Sequence, residues 1–172
     1  MAKTQSGVID YAIYENSKEY LGTANIQLPT ITNKVITIGG AGMAGDVDVP
    51  IPKKDPMHCT ITFTDNGIGA DKLSKEIVHL LDCRVVHDVY DSKEGKMKSG
   101  KVKYIMKCIP ITQTEGTVTP ASAQEGSVEM SVLSFKKYVD GKLVRHVDPI
   151  NYIDIDHSGI NRLDRVKKAL GK

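Results

Sequence analysis

The sequence contains no tryptophan, and its aromatic side chains are two phenylalanines and seven tyrosines. A core built from this chain must therefore rely on branched aliphatic residues and threonine, which favour pleated sheet. Long hydrophobic runs are also missing, and no stretch approaches the roughly 20 apolar residues of a membrane-spanning helix. The N-terminus has no basic start followed by an apolar run, so we expect no signal peptide and no membrane insertion.

A strong charge of either sign is absent as well, since the formal net charge is only +2. Such a balance gives no bulk basic field of the kind that nucleic-acid-binding domains use. Cys59, Cys83 and Cys108 are odd in number and lack CxxC spacing, so we expect reduced, buried thiols in a protein made in a cytoplasm. At 172 residues, the chain fits one domain covering 1–172.

Alternating apolar and polar residues predict half-buried strands along most of the chain. The clearest runs are 57–64 and 101–109, and shorter ones cover 20–28, 35–38 and 83–90. A further run begins at Val128 and changes phase after Val132, which predicts either a bulge or a strand that is buried on both faces. Asp140-Gly141 lies between two apolar runs and predicts a two-residue hairpin, because a type I′ turn needs positive φ at both central positions.

One internal helix is predicted at about 71–81, where apolar residues recur at helical spacing and Asp71 can cap the start. A second, basic helix is predicted from Asn161 to Leu170, within a C-terminal segment that covers 159–172.

Two segments rich in Gly, Pro, Ser and Thr, 39–56 and 110–127, are predicted to be long loops or extended arms. We therefore predict a mainly β fold, an antiparallel sandwich or barrel with one packed helix and a long extended arm or hairpin.

A literal GxGxxG motif occupies 40–45 and follows a predicted strand, with the acid Asp65 about 20 residues beyond it. A nucleotide-binding enzyme is therefore one alternative function. The dinucleotide site, however, needs a helix that begins within the glycines and faces the pyrophosphate. Segment 46–56 contains Pro50, Pro52 and Pro56, so no such helix is expected there.

Other motifs that could hold a metal or catalyse a reaction are incomplete. Asp154, Asp156, Ser158 and Gly159 copy the first half of an EF-hand loop, but its twelfth position is Arg165 instead of a bidentate glutamate. The five histidines do not form HxxxH or HExxH spacing, and no GxSxG elbow is present. The sequence therefore predicts no catalytic residue, no metal site and no cofactor, and the protein is not expected to be an enzyme.

Three segments, spread over nearly the whole chain, resemble the major tail tube proteins of contractile-tailed bacteriophages and R-type bacteriocins. The first is similar to the LPxLxxK and AGMxG signature of that family, and the others are similar to its DGK, DxxN and closing elements. In this sequence they are Leu28-Pro29, Ile31, Lys34 and 40–45; Asp140-Gly141-Lys142, Asp148-Pro149 and Asn151; and 159–163 with Leu170-Gly171. The predicted internal helix also falls where the family has one.

The resemblance implies a subunit that closes into hexameric rings, which stack into the inner tube of a virion tail or an extracellular contractile particle. It also implies further partners: the tail sheath protein, the baseplate or tube initiator, the tail terminator, the tape measure protein and, in a phage, DNA in transit. Type VI secretion tube proteins share the implied fold but match these segments less well, and remain an alternative. Contacts between subunits are expected in the arm and in the C-terminal segment, at Gly40, Gly42, Met43, Gly45, Arg162, Leu163 and Leu170.

Overall fold

The computed structural model describes residues 3–22, 24–64, 68–91 and 94–172, with side chains from residue 7 onward. Its strands, in chain order, are β1 (Lys3–Glu15), β2 (Glu19–Tyr20), β3 (Ala24–Gln27), β4 (Asn33–Ile38), β5 (Val47–Lys54), β6 (Met57–Phe63), β7 (His79–Asp91), β8 (Lys96–Thr114), β9 (Gly126–Val139), β10 (Lys142–Asp148) and β11 (Ile153–Ile155). Its helices are α1 (Ile68–Leu73) and α2 (Asp164–Ala169). The predicted mainly β class is confirmed.

One large antiparallel sheet forms the body, with the strand order β11-β10-β9-β8-β7-β1-β2. The strand β9 pairs along one edge with β8 and along the other with two strands in turn, β6 and then β10. The strand β3 extends the sheet beyond β6. The sheet is curled, since the Tyr11 hydroxyl on β1 donates a 2.9 Å hydrogen bond to the Ala24 carbonyl on β3, which belongs to the other branch of the sheet.

The phase change predicted in β9 is a β-bulge at Leu133. Lys107 pairs with Ser134 while the next residue, Cys108, pairs with Val132, so Leu133 has no partner on β8. The bulge lies where the other edge of β9 passes from β6 to β10. It therefore lets one strand serve both branches of the sheet.

The core lies inside the curled sheet and consists mainly of aliphatic and sulfur-containing side chains. Alternate residues of β6, β7, β8 and β9 point into it, as the strand patterns predict. Cys59, Cys83 and Cys108 are buried free thiols, as expected. The Asp140-Gly141 turn has φ of 47° and 83°, so the predicted type I′ geometry is confirmed.

The internal helix differs from the prediction, because α1 covers Ile68–Leu73 and not 71–81. Leu73 and Leu81 are both fully buried, but the first lies in the helix and the second in β7. Their helical spacing therefore arises from two elements that meet the same core. Asp71 lies inside α1 and does not cap its start.

The predicted loop at 110–127 is also shorter than expected, since β8 continues to Thr114 and β9 begins at Gly126. Pro110 fits within β8 because β7 begins opposite Cys108, leaving one edge of β8 unpaired at the proline. Neither described helix is long and apolar enough to span a membrane.

Candidate inter-subunit interface

The predicted arm is a two-stranded hairpin of β4 and β5, which forms a separate sheet with its tip at 39–46. It begins at Asn33, earlier than the predicted arm at 39–56. Every residue of β4 is exposed, and so is most of β5. Two strands alone are marginally stable in water, so the hairpin needs a further packing surface.

The two faces of the hairpin differ in chemistry. On one face, Ile36 pairs with Val49 and Ile38 pairs with Val47. These four aliphatic side chains are between 40% and 53% exposed. The opposite face carries the acid Asp48, which accepts a 2.7 Å hydrogen bond from the Thr37 hydroxyl. The hairpin thus has one uncovered apolar face and one mixed face, on which Asp48 lies near the exposed Val35 and Pro50.

The predicted contact residues Gly40, Gly42, Met43 and Gly45 all lie at the hairpin tip, and all four are exposed. The φ of Gly42 is +94°, a conformation that residues with a Cβ atom rarely adopt. The tip also carries an acid, Asp46, whose carboxylate lies directly over Gly39.

The base of the hairpin is tied to the body by a buried cluster of charges. Lys54, at the end of β5, places its Nζ 2.8 Å from Asp154 Oδ2 on β11. Arg145 Nη2 on β10 lies 2.7 Å from the other carboxylate oxygen. Neither oxygen accepts a well-aligned hydrogen bond, so ionic attraction holds the cluster. The Lys54 ammonium also donates to the Asn33 side chain across the hairpin.

The C-terminal segment docks on the same part of the body. The Asn161 side chain accepts a 2.9 Å hydrogen bond from the Asp154 backbone N–H through Oδ1 and donates a 3.0 Å hydrogen bond to the Tyr152 carbonyl through Nδ2. Arg162 binds Asp156, and hydrogen bonds from Ser158 and then Arg162 hold the pKa of that carboxyl below its usual range.

Of the three contact residues predicted in this segment, Leu163 is buried in its own subunit, whereas Leu170 is 56% exposed. Arg162 is already paired within the chain through Asp156. Leu170 therefore remains available for a neighbour, while the other two hold the segment in place.

An apolar groove of about 430 Å³ separates the hairpin base from α2. Its lining includes Ile51 and Pro52 from β5, Tyr152, and the apolar stripe of the C-terminal segment. That stripe is the predicted one, formed by Leu163, Val166 and Leu170.

The nucleotide-binding alternative is contradicted by the position of the glycines. The motif at 40–45 turns the chain between two antiparallel strands, and the strand β5 follows it in place of a helix. No helix N-terminus is present there to face a pyrophosphate. Asp65, the acid of the motif, lies outside the described residues. Within the described part of the chain, no three metal-ligating side chains group together as a metal site would require.

Two features of this region were not found from the sequence. The first is the ionic cluster of Lys54, Arg145 and Asp154, whose members are far apart in the chain and follow no motif. The second is the apolar face of the hairpin, although Val47 and Val49 alternate with Asp46 and Asp48 in a way that predicts a strand.

The family model described as phage tail tube protein FII matches residues 6–171. No curated protein sequence matches the chain significantly.

Two solved structures share the fold. The sheath/tube terminator of PVC, an extracellular contractile injection system in its extended state, has a TM-score of 0.54 and 8% identity. That match covers 80% of this chain and 99% of the other. A chain of the extended PVC sheath-tube complex has a TM-score of 0.53 and 10% identity, covering 77% and 90%. At these identities the likeness concerns the fold alone.

Proposed function

The chain belongs to the phage tail tube protein FII family and is a structural subunit of a tail tube; from that premise we propose that six copies close into a ring and that the rings stack through the β4–β5 hairpin. The tube is a component of a virion or of an extracellular particle. Its subunits are made in the bacterial cytoplasm, and their role is structural and not catalytic.

The observation that supports this proposal is the uncovered hairpin. Its apolar face is formed by Ile36, Ile38, Val47 and Val49, and no described part of the chain covers it. Apolar surface of this kind on a projecting element marks a protein–protein contact. Head-to-tail contacts between identical subunits give closed rings, or open filaments where each step adds a translation.

The partners that we propose follow from the same assembly. Other copies of the chain are the first, and the sheath protein covers the outside of the tube. The baseplate or tube initiator, the terminator and the tape measure protein complete the particle, and DNA passes through when the particle is a phage. The PVC neighbours come from a sheath-tube complex and a sheath/tube terminator, which agrees with an inner tube surrounded by sheath.

Assembly of the purified protein tests the proposal, using electron microscopy and sedimentation over a range of concentrations. Rings or tubes without nucleotide or cofactor are the expected result. The variant Gly42→Val should fold but stack poorly, since a β-branched residue at φ +94° costs about 1–3 kcal/mol locally. Gly7→Val, in β1 and outside the hairpin, is the matched control, because its φ is not positive and its surroundings are open. Monomers under every condition would refute the proposal, as would normal tubes from Gly42→Val.

A further inference from the structure

The hairpin tip and the groove at the hairpin base have complementary surfaces. The tip region has an apolar face and the exposed acids Asp46 and Asp48. The groove has an apolar floor with the exposed cation Lys53 in its lining. A second cation lies beside it, since Lys172 Nζ is 4.9 Å from the centre of the Tyr152 ring.

The helix α2 carries its exposed positive charge on the side away from the groove. Arg165 and Lys168 are exposed on it, and neither forms an ion pair with any described residue. Val166 and Leu170 line the groove, and Lys168, two residues from each, points to the opposite side of the helix, so these two cations lie outside the groove.

We infer that the groove between β5 and α2 receives the hairpin tip of another copy of this chain. This inference rests on the proposed stacking and names the surface that accepts the hairpin. The aliphatic face of the inserted hairpin, formed by Ile36, Ile38, Val47 and Val49, covers Val166 and Leu170 on the α2 wall. Asp48 on the opposite face, with Asp46 beside it, meets Lys53 on the β5 wall and the nearby Lys172.

The contact cannot form within one chain. The strand β4 is six residues long and separates the tip from the base by about 20 Å, at roughly 3.3 Å per residue. Tip and groove therefore belong to different copies, and each copy offers both. Such a contact repeats from subunit to subunit along the tube axis.

A charge swap tests the electrostatic part of the contact. Asp46→Lys/Asp48→Lys should raise the concentration needed for tube formation about tenfold or more, because like charges across an interface disfavour docking. Lys53→Glu/Lys172→Glu should do the same. All four substitutions in one chain should restore assembly towards the wild-type level. Asp71→Lys/Glu76→Lys changes the net charge equally on exposed residues of another region, and should leave assembly unchanged.

Cysteine cross-linking tests the geometry directly. Met43→Cys protein mixed with Leu170→Cys protein should form a disulfide-linked pair on mild oxidation, in larger yield than either variant alone. The natural thiols should not interfere, since all three are buried and burial raises the pKa of Cys83 to about 11.

The outcomes separate this inference from the proposed function. The groove contact would be overturned if wild-type protein forms tubes but the fourfold charge swap does not restore assembly and the cysteine variants form no mixed cross-link. The proposed function as a tube subunit would still stand in that case. A wild-type protein that never assembles would overturn both.

Discussion

Lys54 Nζ lies 2.8 Å from Asp154 Oδ2, and the two side chains are 4% and 1% exposed. The pair joins the last residue of the projecting hairpin to a short strand of the body. A buried ion pair contributes little net stability on its own, because desolvation offsets the attraction. The pair instead orients the hairpin, because it fixes the base of the β4–β5 element, which has few other contacts with the body.

Lys54→Ala should therefore destabilise the subunit by about 3 kcal/mol, since it leaves the Asp154 carboxylate buried with Arg145 as its remaining cation. Urea denaturation measures this effect, and hydrogen exchange should show faster opening of β4 and β5 than of β8. The exposed neighbour Lys53 provides the control, as Lys53→Ala should leave both measurements near wild type. Equal effects of the two substitutions would contradict the anchoring role.

Gly69→Ala should destabilise the protein by about 1–3 kcal/mol, because an added methyl group has no room. A Cβ atom there would lie 2.6 Å from the Leu21 carbonyl oxygen and 3.3 Å from the Phe63 ring. In an open helix, the same change stabilises by about 1 kcal/mol, so the sign of the effect is diagnostic. Thermal or urea unfolding checks it against Gly45→Ala, which meets no atom within 4 Å. A stabilised Gly69→Ala variant would show that α1 is not packed this closely.

The strands were predictable where the pattern is local. The alternation in β6 and β8, the bulge at Leu133 and the type I′ turn at Asp140-Gly141 all depend on neighbouring residues, and sequence periodicity reports such features directly. The prediction of one helix at 71–81 was wrong, because apolar residues from two elements that face the same core can imitate the spacing of a single helix. Proline content left the arm open between an extended segment and a hairpin, and in the structure the prolines fit the outer strand of a hairpin, whose free edge faces solvent.

The contact regions were predictable only as segments. Glycine at the tip and leucine in the C-terminal segment carry local signals, so 39–56 and 159–172 could be singled out. The cluster of Lys54, Arg145 and Asp154 could not, since ion pairing between distant residues leaves no periodic signal. The internal role of Arg162 was missed for the same reason, because its partner Asp156 identifies it only once the turn between them is known.

Truncation of the C-terminal segment should have two separable effects. A chain ending at Leu163 keeps the Asn161 hydrogen bonds and the buried leucine, so it should fold with near wild-type stability and assemble poorly for lack of α2. A chain ending at Gly159 also loses those contacts, and should be less stable by about 2 kcal/mol or more. Urea unfolding and sedimentation distinguish the two effects. Normal tubes from the chain ending at Leu163 would show that α2 takes no part in assembly.

Lowering the pH should reduce the free energy of unfolding of the subunit through Asp82, a fully buried carboxylate on β7. Its Oδ2 lies 2.9 Å from Arg84 Nη2 and 3.0 Å from Lys103 Nζ. Burial opposes ionisation and by itself would raise the pKa of Asp82, but hydrogen bonds from Arg84 and Lys103, with the attraction of both charges, outweigh burial and lower the pKa.

A carboxyl group whose pKa is lower in the folded state stabilises the fold above its unfolded pKa of about 3.9. That contribution is lost as the pH falls through the folded pKa, because protonation removes the charge that pairs with Arg84 and Lys103. Asp82→Asn lacks the charge at every pH, so it should be less stable than wild type at pH 7, and the difference should shrink below about pH 4. Urea unfolding between pH 2 and 7 measures both curves, with the exposed Asp71→Asn as the matched control, and a difference that stays constant with pH would contradict the role of the Asp82 charge.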